Sequence, residues 1–189
     1  MSEKKTSSRL PLFLTLIAAG VFLIGAVLFP LLLQAQAGAL QGTGIIIAPV
    51  TLNLPAPHLA LTSLQGKPAS LEEYRGQVVL VNNWATWCPP CKAEMPDLQA
   101  YYQAHSSQGF VVVAIEAGES AASVADFLKP FGITFPVWLD PTGSALQAFQ
   151  NQDLPSSYVI GRDGSLVMDW TGPVNRPTLE KYLTPLLEK

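Results

Sequence analysis

Val78-Val79-Leu80-Val81-Asn82-Asn83-Trp84-Ala85-Thr86-Trp87-Cys88-Pro89-Pro90-Cys91-Lys92 carries an apolar run straight into a C-x-x-C motif. Val78–Val81 is continuous apolar sequence, the mark of a strand buried on both faces. From Pro90 to about Ala104 the spacing predicts a helix. The chain's two cysteines therefore stand where a strand hands over to a helix. A thiol there faces unpaired N–H groups and the positive end of the helix dipole, both of which favour its thiolate. The second thiol, three residues on, lies one turn deeper and can close the ring. A C-x-x-C in this setting reads as a redox pair.

Other uses of two thiols fit less well. A zinc site needs two more ligands, and His58 and His105 are far away in sequence. Haem attachment needs His directly after the second Cys, where Lys92 stands. A structural disulfide over so short a loop adds little loop-closure stability. No metal site is expected, and no cofactor beyond the thiols. A metallochaperone would want a neighbouring His or Met, and Met95 alone is near. A peroxidase would want a cysteine apart from the motif.

Outward from the motif the chain alternates strand and helix. Leu59–Leu61 and Lys67–Leu71 flank Gln65-Gly66 as a short hairpin. Phe110–Ile115 is a second buried strand, and Ser120–Phe131 a second helix with Ser120 or Ser123 as its cap. Phe135–Leu139 reads as a third strand. Ser157–Ile160 and Ser165–Trp170 flank Gly161-Arg162-Asp163-Gly164, a hairpin signal. A last helix runs from Thr178 to about Leu187, with Pro185 disturbing its final turn. This order implies an α/β sheet, parallel in its first half and antiparallel in its second.

The N-terminal part is different. Leu10–Leu33 holds no charge and one hydroxyl, Thr15. As a helix at about 1.5 Å per residue it would cross a hydrocarbon core of about 30 Å. Lys4, Lys5 and Arg9 precede it, and no Lys or Arg follows until Lys67. The positive-inside rule then leaves residues 1–9 in the cytoplasm and the rest outside. Ala35-Gln36-Ala37 has the look of a signal-peptide cleavage site, but the apolar run is longer than the usual h-region of about 7–15 residues. Residues 34–54 are uncharged and rich in Gly, Ala, Gln and Thr, and read as a tether ahead of a domain spanning 55–189. There are no internal repeats. Over 189 residues, 49% hydrophobic content with 13% charge excludes a disordered chain. A net charge of −3 with no basic run beyond the N-terminus argues against nucleic acid.

Trp84 to Pro96, read with Gly109–Ile115, Gly118–Ser120, Phe135–Asp140 and Leu154–Ile160, resembles the membrane-anchored thiol–disulfide oxidoreductases of the TlpA/ResA group. These belong among the redoxin or AhpC/TSA-like thioredoxin domains. The resemblance covers about Pro55 to Leu187. It implies a thioredoxin fold, a mixed central sheet flanked by helices, behind an N-terminal transmembrane helix. It implies a redox-active Cys88–Cys91 disulfide, with Cys88 attacking and Cys91 resolving. Trp87, Pro89, Pro90, Leu154 and Pro155 would face substrate, Pro155 as a cis-proline, and Pro96 would be the proline within the active-site helix. Glu94 matches an active-site glutamate able to take the Cys91 proton; from the residues alone, a first-turn partner of the helix dipole explains it equally well. Glu116 either adjusts the site or sits at a solvated strand end, and Glu119 is no clearer. Trp84 reads as core.

The resemblance further implies a bacterial cell-membrane protein, single-pass, that reduces disulfides of exported proteins, such as the C-x-x-C-H of an apocytochrome c during cytochrome c maturation. Electrons would come from a membrane thiol carrier of the CcdA or DsbD type. Two departures stand out: Asn83 where the family usually has Phe, which would place an amide in an apolar layer and require a partner, and Pro89 where Glu, Val or Thr is frequent.

Overall fold

The computed structural model describes residues 48–188, and Phe29 ahead of them. Apart from Phe29, the expected Leu10–Leu33 span lies outside the described residues, as does the tether up to residue 47. Among the described residues no helix is long and apolar enough to cross a membrane.

Every residue of β4 (Val78–Trp84) and of β5 (Phe110–Glu116) is buried, as strands covered on both faces must be. The other strands are β1 (Val50–Pro55), β2 (Ala60–Ser63), β3 (Pro68–Ser70), β6 (Val137–Leu139), β7 (Ser156–Ile160) and β8 (Ser165–Thr171). Within residues 48–188 the α-helices are α1 (Pro89–His105), α2 (Ala121–Leu128), α3 (Ser144–Ala148), α4 (Arg176–Tyr182) and α5 (Thr184–Leu187). The strands form one sheet in the order β1-β8-β7-β4-β5-β6-β2-β3. β4, β5 and β6 are parallel neighbours; every other pairing is antiparallel. The parallel part is thus the centre, with antiparallel strands on both flanks.

The period of two along β4 and β5 divides the core. Val78, Leu80 and Trp84 join Val112 and Ala114 on one face, covered by Cys91, Met95 and Leu98 of α1, Val124 of α2 and Leu179 of α4. Val79 and Val81 join Val111, Val113 and Ile115 on the other, against Leu59, Leu71 and Ala145. The chemistry sits on the first face, where α1 begins.

Three expectations need correction, and one helix had no counterpart among them. The tether was expected to run through residue 54, but Val50–Pro55 is an edge strand paired with β8. Its Val50, Leu52 and Leu54 alternate with polar positions, a strand signal that the Gly- and Ala-rich composition before it obscures. The second helix stops at Leu128, with Lys129–Phe131 as a 3₁₀ turn, and Ser120 is its cap, accepting from Ser123 N–H at 3.2 Å. The last helix is two helices that meet at Leu183, since Pro185 fits only the first turn of a new one. The short α3 was not expected; the carboxylate of Asp140 holds its start, accepting from the N–H groups of Ser144 at 2.9 Å and Ala145 at 2.7 Å.

Candidate active site

β4 ends at Trp84 and four residues later the chain turns into α1. Cys88 is the N-cap, in extended conformation, and Pro89 opens the helix, where a missing N–H costs nothing. Cys88 and Cys91 form a disulfide with an S–S distance of 2.00 Å and Cα atoms 5.3 Å apart. Cys91 is wholly buried and Cys88 is 4% exposed. The Cys91 N–H donates to Cys88 Sγ at 3.3 Å. Pro89 and Pro90, both exposed, have no N–H to offer, so within this turn the sulfur is served by Cys91 alone. Pro96 lies inside α1, which continues past it to His105.

Trp87 stands beside the pair, 67% exposed, while Trp84 is fully buried in the core. The Leu154–Pro155 bond is cis. Pro155 leads into β7, whose Ser156 pairs with Asn83 of β4. That register brings Pro155 to the end of the sheet from which the cysteine loop departs. Leu154 is half-buried and Pro155 buried.

Glu94 is not a first-turn residue. With Pro89 first in the helix, it falls in the second turn, three residues beyond Cys91 and on the same side of the helix. It is 1% exposed. Its Oε1 accepts from Asn82 Nδ2 at 2.8 Å and its Oε2 from the Val174 N–H at 2.9 Å. Burial pushes the carboxyl up to about 7, against the pull of those two donors. A buried acid that titrates near neutrality is able to take up and release a proton at working pH.

Asn82 is a site residue that the sequence reading missed. Its Nδ2 also reaches Ser157 Oγ, at 3.2 Å. An amide inside a run of Val and Leu was the available signal, since a buried polar group needs a partner. Asn83 is buried in β4 as expected, but the partner such an amide needs is met only marginally: its Nδ2 reaches Ser156 Oγ at 3.5 Å.

Glu116 is likewise fully buried rather than solvated, at the end of β5 opposite Trp84. Burial pushes its carboxyl up to about 7. Glu119 binds the loop before the cysteines, accepting from Thr86 N–H at 2.9 Å and Thr86 Oγ1 at 2.7 Å. The remaining candidate ligands are engaged elsewhere: His58 with Glu72 at 2.7 Å, His105 against the Tyr101 ring, and Met95 within the core.

Residues 52–168 match the AhpC/TSA family. The thiol–disulfide oxidoreductase ResA of Bacillus subtilis is 36% identical over 128 residues, covering 68% of this chain and 72% of that protein. ResA of Geobacillus kaustophilus is 35% identical over 134 residues, covering 71% of this chain and 77% of that one. Among solved structures, a thioredoxin-family thiol:disulfide interchange protein from Chlorobium tepidum superposes with a TM-score of 0.65 at 30% identity, over 73% of this chain and 99% of its own. A DsbE-type interchange protein from the same organism gives 0.67 at 27%, over 71% and 96%. With a C-x-x-C pair at a helix start, a cis-proline at the same end of the sheet and these relatives, the chain belongs to the AhpC/TSA family and is a thioredoxin-fold thiol–disulfide oxidoreductase.

Proposed function

We propose that this protein is a membrane-anchored reductant of disulfides in exported proteins, with its catalytic domain on the extracytoplasmic side of a bacterial cell membrane. The apolar run Leu10–Leu33 behind Lys4, Lys5 and Arg9 supports the anchor and its orientation. The observation that carries the direction of reaction is the single N–H, from Cys91, that the turn offers to Cys88 Sγ. A thiolate with few donors is weakly stabilised. The reduced form then has little advantage, the disulfide is favoured, and the protein gives electrons.

In the reaction, the Cys88 thiolate attacks a substrate disulfide, displacing one substrate thiolate and forming a mixed disulfide. Cys91 gives its proton to Glu94 and attacks Cys88 Sγ, which releases the second substrate thiolate. The substrate leaves with two electrons and takes up two protons, and Cys88–Cys91 is oxidised. A membrane thiol carrier of the CcdA or DsbD type would return the electrons, since the chain has no third cysteine. An exported protein with a C-x-x-C-H segment, such as an apocytochrome c, is the substrate class the family favours. Trp87, Pro89, Pro90, Leu154 and Pro155 would border it.

The reduction potential tests the direction. A value near about −270 mV agrees with a reductant; one near about −120 mV overturns it in favour of an oxidant. Trapping with Cys91→Ser, followed by identification of what stays linked to Cys88, names the substrate.

A further inference from the structure

Glu116 is a buried acid that thiol–disulfide exchange leaves unused. It lies on the face of the sheet that carries the cysteines, since its register partner Trp84 joins Cys88 and Cys91 in one core cluster. Its Oε2 accepts the Glu119 N–H at 2.9 Å. Its Oε1 has no hydrogen-bond partner among the described residues. The neighbouring group is the Glu119 carboxyl, which pushes Glu116 up and is itself held down by it. Two carboxyls share a hydrogen bond only when one of them carries a proton.

The surroundings decide which. Burial drives Glu116 toward the neutral form, and the charges of Glu119 and Asp140 push the same way. Glu119 is also raised by burial, but the hydrogen bonds from Thr86 outweigh this and hold it below the usual carboxylate range. Below about pH 7 this balance favours the proton on Glu116 and the charge on Glu119. That charge fastens both the N–H and the hydroxyl of Thr86, which stands two residues before Cys88 and next to the exposed Trp87. Ala117 N–H to Trp84 C=O, at 3.0 Å, ties down the same corner.

We propose that Glu116 is a positioning residue: protonated, it fixes Glu119 on Thr86 and so holds the Thr86–Trp87 segment in the geometry in which Cys88 attacks, and release of that proton loosens the segment. The charged groups around it are few. Asp140 follows β6 and takes the Glu116 carbonyl with its own N–H at 2.9 Å, while its carboxylate is committed to α3. From α1, Lys92 lies over the Phe127 ring, 6.0 Å from its centroid, and Phe127 packs on Trp84. Asp126 and Lys129 pair with each other at the surface. Ionised Glu116 would thus be a third negative charge beside Glu119 and Asp140.

The proposal rests on Cys88 being the attacking thiol, and one experiment tests the two separately. The full-length reduced protein, carrying Glu94→Gln to remove the other titration near neutrality, is alkylated with iodoacetamide across pH. The labelled cysteine is identified by peptide mass, and the rate is divided by the thiolate fraction read from absorbance. The rate per thiolate is expected to fall about fivefold between about pH 6 and about pH 8.5, the effect of one ordinary hydrogen bond. Adding Glu116→Gln, whose amide donates to Glu119 at every pH, is expected to keep the rate at its high value throughout. Thr86→Val is expected to be slow and flat, and Thr86→Ser to restore the profile. Alkylation at Cys88 with the same fall in Glu116→Gln, or with no fall in its parent, overturns the proposal alone. Alkylation of Cys91 in its place overturns the assignment beneath it as well. Should Glu116→Gln fail to fold, an unchanged profile in Thr86→Val is itself enough to overturn the proposal.

Discussion

Asn82 and Asn83 are adjacent in one strand and almost equally inaccessible, at 0% and 1% exposed, yet they occupy opposite faces of the sheet. On the α1 face, the Asn82 amide joins Glu94 at 2.8 Å and Ser157 at 3.2 Å, and Glu94 goes on to the Val174 backbone at 2.9 Å. On the other face, the Asn83 amide has only Ser156 at 3.5 Å, the outer limit of a hydrogen bond; the Oδ1 of each asparagine is without a partner among the described residues. The same residue type at the same depth thus belongs in one case to a connected network around an acid and in the other to nearly nothing. Burial alone does not mark a functional polar group; its partners do.

The largest effect expected from the connected face is on stability against pH. Glu94 titrates near about 7 in the folded protein against an ordinary 4.5. Below 4.5 both folded and unfolded chains hold the proton. Above that the unfolded chain releases it first, so stability falls as pH rises and the whole advantage is gone beyond about 7. For a carboxyl this deeply buried the loss amounts to about 3 kcal/mol at most. Glu116, also raised to about 7, acts in the same direction. Urea unfolding of the oxidised protein is therefore expected to give lower stability at pH 8 than at pH 5, with a shallower slope in Glu94→Gln. A Gln variant with the parent's slope would put the proton elsewhere.

Next in size is Asn82→Leu, which removes the donor to Glu94 Oε1 and leaves a buried acceptor with half its partners. A loss of about 2 kcal/mol is expected near pH 6. The Glu94 value is expected to move further up, since one of the two donors that oppose burial has gone. Carbon-13 titration of the glutamate carboxyls checks the shift.

Glu94→Gln tests the network's chemistry. The amide fits the same space but accepts no proton from Cys91. Resolution of a mixed disulfide at Cys88 is expected to slow by about tenfold or more, with the melting temperature near pH 6 little changed. Stopped-flow decay of a preformed adduct measures this step directly. Equal rates across pH 5–9 would make Glu94 a packing residue.

These residues also show how far the sequence carries. The redox pair, the buried strands β4 and β5 and the start of α1 are local patterns, and each was legible. The environment of Glu94 was not, because Val174 lies 80 residues further along the chain and reaches it only through the packing of the loop after β8. Glu116 and Thr86 are joined through Glu119 across a parallel register that periodicity does not specify. β1 was hidden by its tether-like neighbours, although Val50, Leu52 and Leu54 alternate within it. Asn83 drew attention as a departure from a family pattern, while Asn82, the amide with the stronger partners, drew none.

The smallest effect, and the one most able to break the comparison, is expected from Asn83→Val. Valine is close to asparagine in volume and favours strands. The change removes a contact at 3.5 Å and an Oδ1 that has no partner among the described residues. Replacing a poorly paired buried amide by an apolar group of similar shape is neutral or stabilising, so a gain of up to about 1 kcal/mol is expected, with unchanged thiol exchange. The same substitution at Asn82 strands Glu94 and is expected to destabilise. Opposite signs for one substitution at adjacent positions would show that the network around Glu94, rather than depth in the strand, gives the amide its value. A loss of more than about 1 kcal/mol at Asn83 would mean that its face holds a polar connection of its own, and the contrast between the two faces would fail.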